Sequence, residues 1–161
     1  MNFDPASLTD SRIHQAFTYW DTLRNGREIP ARADIDPSEI IRILPFVLLV
    51  DVCYDPMDFR IRLAGTDIVE RFGQEITGCR LQDIDFDGKH EQVFREYCLT
   101  VEQRQPLLFT EEFRRHDGKY MNYSRLLCPL SRNGDRIDML FGVQVPQPGT
   151  PDTRTPAAPA P

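Results

Sequence analysis

The sequence predicts an α+β fold in which a five-stranded antiparallel sheet carries helices on one face. Two glycine turns, Asp117-Gly118 and Asn133-Gly134, divide Leu107 to Val145 into three strand-like runs. Asn or Asp followed by Gly tolerates the positive φ that type I′ hairpin turns require, so the runs are predicted to form a meander. A long helical segment, Lys89 to Gln105, leads directly into this meander. An earlier pair of strands completes the predicted sheet.

That earlier pair lies in the first half of the chain. Phe46 to Cys53 is rich in Val and Leu, Phe59 to Leu63 alternates apolar residues with Arg, and Asp55-Pro56 lies between them as a turn. Together they predict an antiparallel hairpin. Because Phe46 to Val50 is apolar at every position, whereas a sheet with one wet face would alternate, we expect a further element to cover the second face.

The N-terminal region predicts an amphipathic helix, which is the best candidate for that cover. Its apolar residues recur at helical spacing: Ile13, Ala16, Phe17, Trp20 and Leu23. The stripe either covers the sheet of its own chain or joins two chains, and both interpretations stay open. We expect a homodimer made through Ile13, Phe17 and Trp20.

The proline distribution sets the expected domain boundaries. Six of the 13 prolines fall in Pro146 to Pro161, a segment without aromatic residues that cannot bury enough apolar surface to offset its ordering entropy. We therefore expect an N-terminal helix and linker over residues 1–33, one domain over 34–145, and a disordered tail over 146–161.

Composition excludes several classes of function. The net charge is -6 and the basic residues are scattered, which argues against a nucleic-acid partner. The longest apolar run, Ile43 to Val50, is far shorter than the roughly 20 residues of a membrane span. No signal peptide is visible, and no Cys-x-x-Cys pair occurs among Cys53, Cys79, Cys98 and Cys128. We expect a cytoplasmic protein with free thiols and no membrane contact.

Both halves of the chain carry motifs that resemble PAS domains. The closing strands resemble those of PAS domains in the runs Phe113 to Tyr120, Cys128 to Leu130 and Phe141 to Val143. The front half, from Tyr19-Trp20 through Asp34-Ile35-Asp36-Pro37 to Gly65-Thr66, is similar to the family of short stand-alone bacterial PAS proteins. The resemblance implies a PAS-like sheet and a sensory or regulatory role, with no catalytic residue.

A PAS-like sheet curved around the long helix predicts a mostly apolar ligand pocket. Its expected lining is Phe94, Tyr97, Cys98 and Val101, with Tyr123 and Arg125 as polar anchors. Arg125 stands in a strand expected to line the pocket, and a buried guanidinium needs a partner. We expect an unknown small-molecule ligand or a signalling partner protein, and contacts between proteins as the output.

Three motifs could hold a metal or cofactor, and none is complete. Asp83-x-Asp85-x-Asp87-Gly88 starts like a calcium loop, but Phe94 stands where the loop needs a bidentate Glu, so we expect Asp85 or Asp87 to cap the long helix instead. Gly78-Cys79-Arg80 departs from the flavin-binding PAS signature, in which Asn precedes the cysteine. His90, at the start of the long helix, is the one histidine placed for haem. The sequence predicts no metal and no cofactor.

Arginines on the second predicted strand allow two interpretations. Arg60 and Arg62 share a face, and ion pairing with Asp51, or with Glu111 and Glu112, is the expected role. In a functional alternative, the arginines receive a carboxylate ligand.

Two other functions remain open besides the sensory one. A small curved-sheet enzyme of the isomerase or hydratase type would need an inward carboxylate as general base, with Glu111 or Asp51 as the candidate. A pocketless adaptor would have a filled core and would bind a partner through the sheet surface or the proline-rich tail.

Overall fold

The computed structural model describes residues 4–148, and five strands in these residues form one antiparallel sheet. The strands are β1 (Val47–Cys53), β2 (Asp58–Ala64), β3 (Leu107–Arg114), β4 (Tyr120–Leu130) and β5 (Met139–Pro146). Their order across the sheet is β2-β1-β5-β4-β3, so β1 and β5 pair at the centre. This confirms the predicted α+β fold, with the strands divided two and three along the chain.

Three α-helices accompany the sheet. They are α1 (Ser11–Arg24), α2 (Thr66–Phe72) and α3 (His90–Gln103), and short 3-10 segments lie at Pro5–Ser7, Arg32–Asp34, Pro37–Phe46 and Leu81–Asp83. Helices α2 and α3 lie in the insert between the hairpin and the meander, and α3 occupies the long helical segment that the sequence predicted. None of the helices in the described part of the chain is long and apolar enough to span a membrane.

The two faces of the sheet carry separate cores. The face that packs against α3, here called the inner face, presents Leu48, Val50, Leu127 and Leu140. The opposite, outer face presents Leu49, Leu126, Cys128 and Phe141. Successive residues of a strand point to opposite faces, so adjacent residues of β1 and β4 serve different cores. Burial on both sides explains why the first residues of β1 are apolar without alternation.

Helix α1 covers the outer face of its own sheet. Ile13 and Trp20 are almost fully buried there, and the Trp20 indole Nε1 donates a hydrogen bond to the Pro129 carbonyl at 2.8 Å. Phe17 is half-buried and lies 6.4 Å from Trp20 between ring centroids. The expected dimer surface of Ile13, Phe17 and Trp20 therefore needs a correction, because two of its three residues are used within the chain. Homodimerisation itself stays a prediction.

The two glycine turns join strands as predicted, but their backbone conformation differs from the predicted type I′ turn. Gly118 and Gly134 have φ of 85° and 86°, whereas neither Asp117 nor Asn133 has a positive φ. Type I′ turns require positive φ at both central residues, so this part of the prediction is wrong. The connections are longer than two residues: Arg115 N–H donates to the Lys119 carbonyl across the first of them.

The start of α3 and the start of the predicted C-terminal tail also differ from expectation. Helix α3 begins after Lys89 without a side-chain cap, and Asp85 instead accepts a hydrogen bond from the Asp87 N–H at 2.9 Å within its own turn. Strand β5 continues to Pro146, and the Gln147 N–H donates to the Asn122 carbonyl. The first residues of the predicted tail therefore pair with β4, and residues 149–161 lie outside the described residues.

Candidate functional site

A cluster of charged and phenolic side chains is buried between α3 and the inner face. This inner cluster consists of Glu96, Glu111, Tyr123 and Arg125. The Arg125 guanidinium lies at its centre, where Nη1 donates to Glu96 Oε2 at 2.8 Å and Nη2 lies 2.7 Å from Glu111 Oε1. The Tyr123 hydroxyl accepts from Arg125 Nη2 at 3.3 Å and donates to Glu111 Oε1 at 3.1 Å.

Three elements bring the inner cluster together. In β4 the alternation that points Leu127 inward also points Tyr123 and Arg125 inward. Strand β3 pairs Glu111 directly with Tyr123, which places the carboxylate beside the phenol. Helix α3 supplies Glu96 from the face that buries Val93. The Arg125 side chain is only 1% exposed, so the cluster ties α3 to β3 and β4 away from water.

Charge in the inner cluster is unevenly matched, because one guanidinium serves two carboxylates. Burial raises the pKa of the Glu96 carboxyl, the nearby Arg125 opposes that rise, and the repulsion from Glu111 adds to it. Burial, together with the hydrogen bond to Glu111, also raises the pKa of Tyr123 far above its ordinary value, so this phenol stays neutral and acts as a donor.

Two polar atoms of the inner cluster have no hydrogen-bond partner among the described residues. They are Glu111 Oε2 and Arg125 Nε, and both are buried. A buried polar atom without a partner carries a desolvation cost that a water or a ligand group can remove. The inner cluster therefore retains hydrogen-bonding capacity for a further polar group.

A second buried guanidinium borders the inner cluster. Arg71 of α2 donates from Nε to Asp67 at 2.8 Å and from Nη2 to the Gln144 carbonyl at 2.8 Å. Its guanidinium carbon lies 5.7 Å from the centroid of the Tyr123 ring. Burial lowers the pKa of Arg71, and the ion pair with Asp67 opposes that effect.

Four of the six predicted lining residues are buried at this site, and two are half-buried. The buried ones are Tyr97, Val101, Tyr123 and Arg125, and the half-buried ones are Phe94 and Cys98. The expectation of a mostly apolar lining needs correcting, because Glu96 and Glu111 join Arg125. The predicted need of Arg125 for a partner is confirmed.

Sequence reasoning missed Glu96 and Arg71 as members of this region. A signal for Glu96 was present, because it lies three residues after Val93 and four before Thr100, on the face of α3 that is buried. A charged residue on an apolar helix face indicates a buried partner. No comparable signal marks Arg71, whose spacing from Asp67 equally fits an exposed helical ion pair.

The other candidate residues lie apart from the inner cluster. Asp51 pairs with Arg62 at 3.1 Å, which confirms one of the expected ion pairs. His90 is half-buried between the rings of Phe86 and Phe94, at 6.4 and 6.3 Å, and its buried Nδ1 has no hydrogen-bond partner among residues 4–148. No group of three or more potential metal ligands occurs in the described residues.

Comparison with known families identifies the domain. The sequence matches the profile described as PAS domain over residues 8–145. The chain belongs to the PAS domain family. The matched range includes α1 as well as the sheet and its helical insert. No curated protein matches the sequence.

Solved structures with the same fold include light-oxygen-voltage (LOV) domains. The Rhodobacter sphaeroides LOV protein shares 16% identity with a TM-score of 0.51, over 70% of this chain and 68% of that chain. A single-substitution variant of RsLOV gives a TM-score of 0.52 at 12% identity, over 91% and 73% of the two chains. A fungal LOV domain photoreceptor gives 0.50 at 14%, over 72% and 94%. At these identities the likeness establishes the fold alone.

The inner face of this PAS domain does not fit a flavin as its side chains are arranged. The Arg125 guanidinium carbon lies 5.5 Å from the Tyr97 ring centroid and 5.6 Å from that of Tyr123, so these side chains occupy the space between α3 and β4. On the β2 side, the Phe59 ring packs against Tyr97 at 5.3 Å. A tricyclic ring would have to displace these residues. Cys79 is only half-buried, and in sequence it departs from the flavin signature.

Proposed function

We propose that this chain is a sensory PAS module whose sensing element is the inner cluster, and that it binds a small polar ligand between α3 and the sheet. The observation that carries the proposal is the pair of buried atoms without partners, Glu111 Oε2 and Arg125 Nε. A ligand that offers a donor to the first and an acceptor to the second would remove two desolvation costs at once.

Ligand binding at this site would bear directly on α3. A buried ion pair contributes little net stability over a hydrophobic alternative, because desolvation offsets most of its attraction. A ligand whose anionic group takes the place of Glu96 on Arg125 would keep the guanidinium paired, and Glu96 would move toward water together with α3, which releases α3 from β4. The proposed output is a change in the surface around α3 that a signalling partner protein reads.

The experiment is native mass spectrometry of freshly purified protein, with an absorption spectrum of the same sample. The proposal predicts an added small-molecule mass that leaves on denaturation. A Tyr123→Phe variant, which removes only the hydroxyl shared by Arg125 and Glu111, is expected to retain less of that mass than Tyr120→Phe, a control in the same strand. Bare protein in both wild type and variants would contradict ligand binding.

A pocketless adaptor is the second candidate, and a specific observation favours it. The inner face is filled by fully buried side chains, including Tyr97, Tyr123 and Arg125. In this case the module would signal through its surface without a ligand. The same mass spectrum distinguishes the two candidates, because only bare protein agrees with an adaptor.

The proposal contains no catalytic step. Glu111, the candidate general base, does face inward and is 7% exposed, but its Oε1 is held by Arg125 and by Tyr123. Asp51, the other candidate, pairs with Arg62 on the outer face. A general base must be free to take the proton that it removes, and each of these carboxylates is already paired with a guanidinium group.

Homodimerisation remains part of the proposal. Its support is the aromatic side of α1, where Phe17 stays half-buried after Ile13 and Trp20 have packed on the sheet. Sedimentation of the wild type and a Phe17→Asp variant tests it. A dimer that the substitution dissociates is expected, and a monomeric wild type would remove the idea.

A further inference from the structure

A cleft of about 510 Å³ opens on the outer face of the sheet, at the corner where the 3-10 turn Arg32–Asp34 lies beside the central strands. We call it the outer cleft. Its chemically distinctive lining residues are Arg32, Asp51, Arg62, Arg132, Asp138 and Met139. Asp51 belongs to β1, Arg62 to β2 and Met139 to β5, so the floor is rigid sheet.

Both carboxylates of the outer cleft already have partners. Asp51 Oδ2 lies 3.1 Å from Arg62 Nε. Asp138 Oδ2 accepts a hydrogen bond from the main-chain N–H of Arg132 at 2.6 Å, so it holds the backbone of that residue rather than its guanidinium. Neither Arg32 nor Arg132 has a side-chain ion pair with any residue in the described range 4–148.

The balance of charge in the outer cleft is therefore positive, in a protein whose net charge is -6. Three guanidinium groups face two carboxylates, and the two unpaired guanidinium groups come from separate segments. Guanidinium groups bind phosphate and carboxylate oxygens through paired hydrogen bonds. Two such groups that line one cleft from different segments fit a ligand with more than one anionic oxygen.

The volume of the outer cleft and the residue on its floor indicate a small-molecule ligand. The volume falls within the range of about 300 to 1,000 Å³ that is usual for small-molecule sites. Met139 lines the outer cleft and is 8% exposed, so it offers a small apolar contact to an organic group.

We propose that the outer cleft binds a small organic phosphate, with Arg32 and Arg132 holding the phosphate oxygens and Met139 contacting the organic part. Arg62 remains paired with Asp51 and takes no direct part in binding. The site lies on the opposite face of the sheet from the inner cluster, so it is independent of the ligand proposed there.

Isothermal titration calorimetry with inorganic pyrophosphate tests the proposal on the full chain. Arg32→Gln and Arg132→Gln are each expected to weaken binding by about tenfold, the loss expected for one charge-assisted hydrogen bond. Arg42→Gln is the matched control, because Arg42 is exposed, lies outside the outer cleft and changes the net charge equally. The control is expected to bind as the wild type does.

Three outcomes would overturn the proposal. They are no detectable heat at millimolar pyrophosphate, an equal loss in the Arg42→Gln control, and citrate binding as tightly as pyrophosphate, which would indicate general attraction of polyanions. All three arginines are exposed, so the variants are expected to fold, and circular dichroism checks this. Amide shifts of Ala31 and Ala33 in a nuclear magnetic resonance titration give a second readout, because both residues line the cleft.

Discussion

Replacement of Arg125 by Met would remove the only cation that contacts both carboxylates of the inner cluster in the described structure. Arg125 is 1% exposed, and its partners Glu96 and Glu111 are 8% and 7% exposed, so neither carboxylate can turn to water without moving its strand or helix. Breaking a buried ion pair by removing one partner costs about 3–5 kcal/mol. Small domains have a free energy of unfolding of about 5–15 kcal/mol, so Arg125→Met removes a large part of it.

The assay is urea denaturation followed by the fluorescence of Trp20, the single tryptophan of the chain, which is buried against the sheet. The loss of stability should come from the carboxylates that are left buried without a cation, rather than from lost packing. A triple variant, Arg125→Met with Glu96→Leu and Glu111→Leu, is therefore expected to regain most of the stability, to within about 2 kcal/mol of the wild type.

Acid should rescue the single variant as well. Without the guanidinium, the attraction that opposes the rise in the Glu96 pKa is gone, so Glu96 gains a proton more readily in the folded state than in the unfolded one, and the deficit shrinks as the pH falls. If Arg125→Met lowered the free energy of unfolding by less than about 1 kcal/mol, the buried pairs would contribute no more than exposed ion pairs do, and the reasoning would be refuted. A triple variant as unstable as the single variant would show that lost packing, and not unpaired charge, causes the loss of stability.

Two further predictions concern single residues of the two cores. Burial raises the pKa of Glu96 above the ordinary 4.5, so folding favours the protonated form of this side chain. The stabilisation that protonated Glu96 provides is therefore complete below pH 4.5 and is lost as the pH rises through the pKa of the folded state. Glu96→Gln should therefore gain stability relative to the wild type between acid and neutral pH in urea titrations, and a difference that does not vary with pH would contradict this. Trp20→Phe leaves the buried Pro129 carbonyl without its donor and should cost about 1–3 kcal/mol by thermal circular dichroism. A cost near zero would show that this hydrogen bond is replaced.

The sheet could be predicted from the sequence because its signals are local. Val47–Cys53 carries β-branched residues between breakers, and the two glycine turns separate β3, β4 and β5. Turn conformation could not be predicted in the same way. Asp117 and Asn133 tolerate positive φ without requiring it, and the length of each connection decides whether they adopt it.

The partners of Arg125 in the inner cluster could not be predicted from local sequence patterns. Arg125 could be marked as buried and in need of a partner, since it stands in a strand expected to face the pocket. Its partners lie 29 and 14 residues away in sequence, and Glu96 in α3 and Glu111 in β3 are two of many acidic residues. The choice among them depends on how α3 crosses the sheet, which spacing along the chain does not reveal.

The most direct test of the account is hydrogen–deuterium exchange of a Glu96→Ala variant, because Glu96 is the residue through which the inner cluster holds α3. The matched control is Glu102→Ala, an exposed glutamate on the same helix. The account predicts faster exchange in α3 and β3 for Glu96→Ala, with α1 unchanged, and wild-type exchange throughout for the control. Unchanged exchange in α3, or an equal increase in α1, would contradict the claim that the buried cluster couples this helix to the sheet.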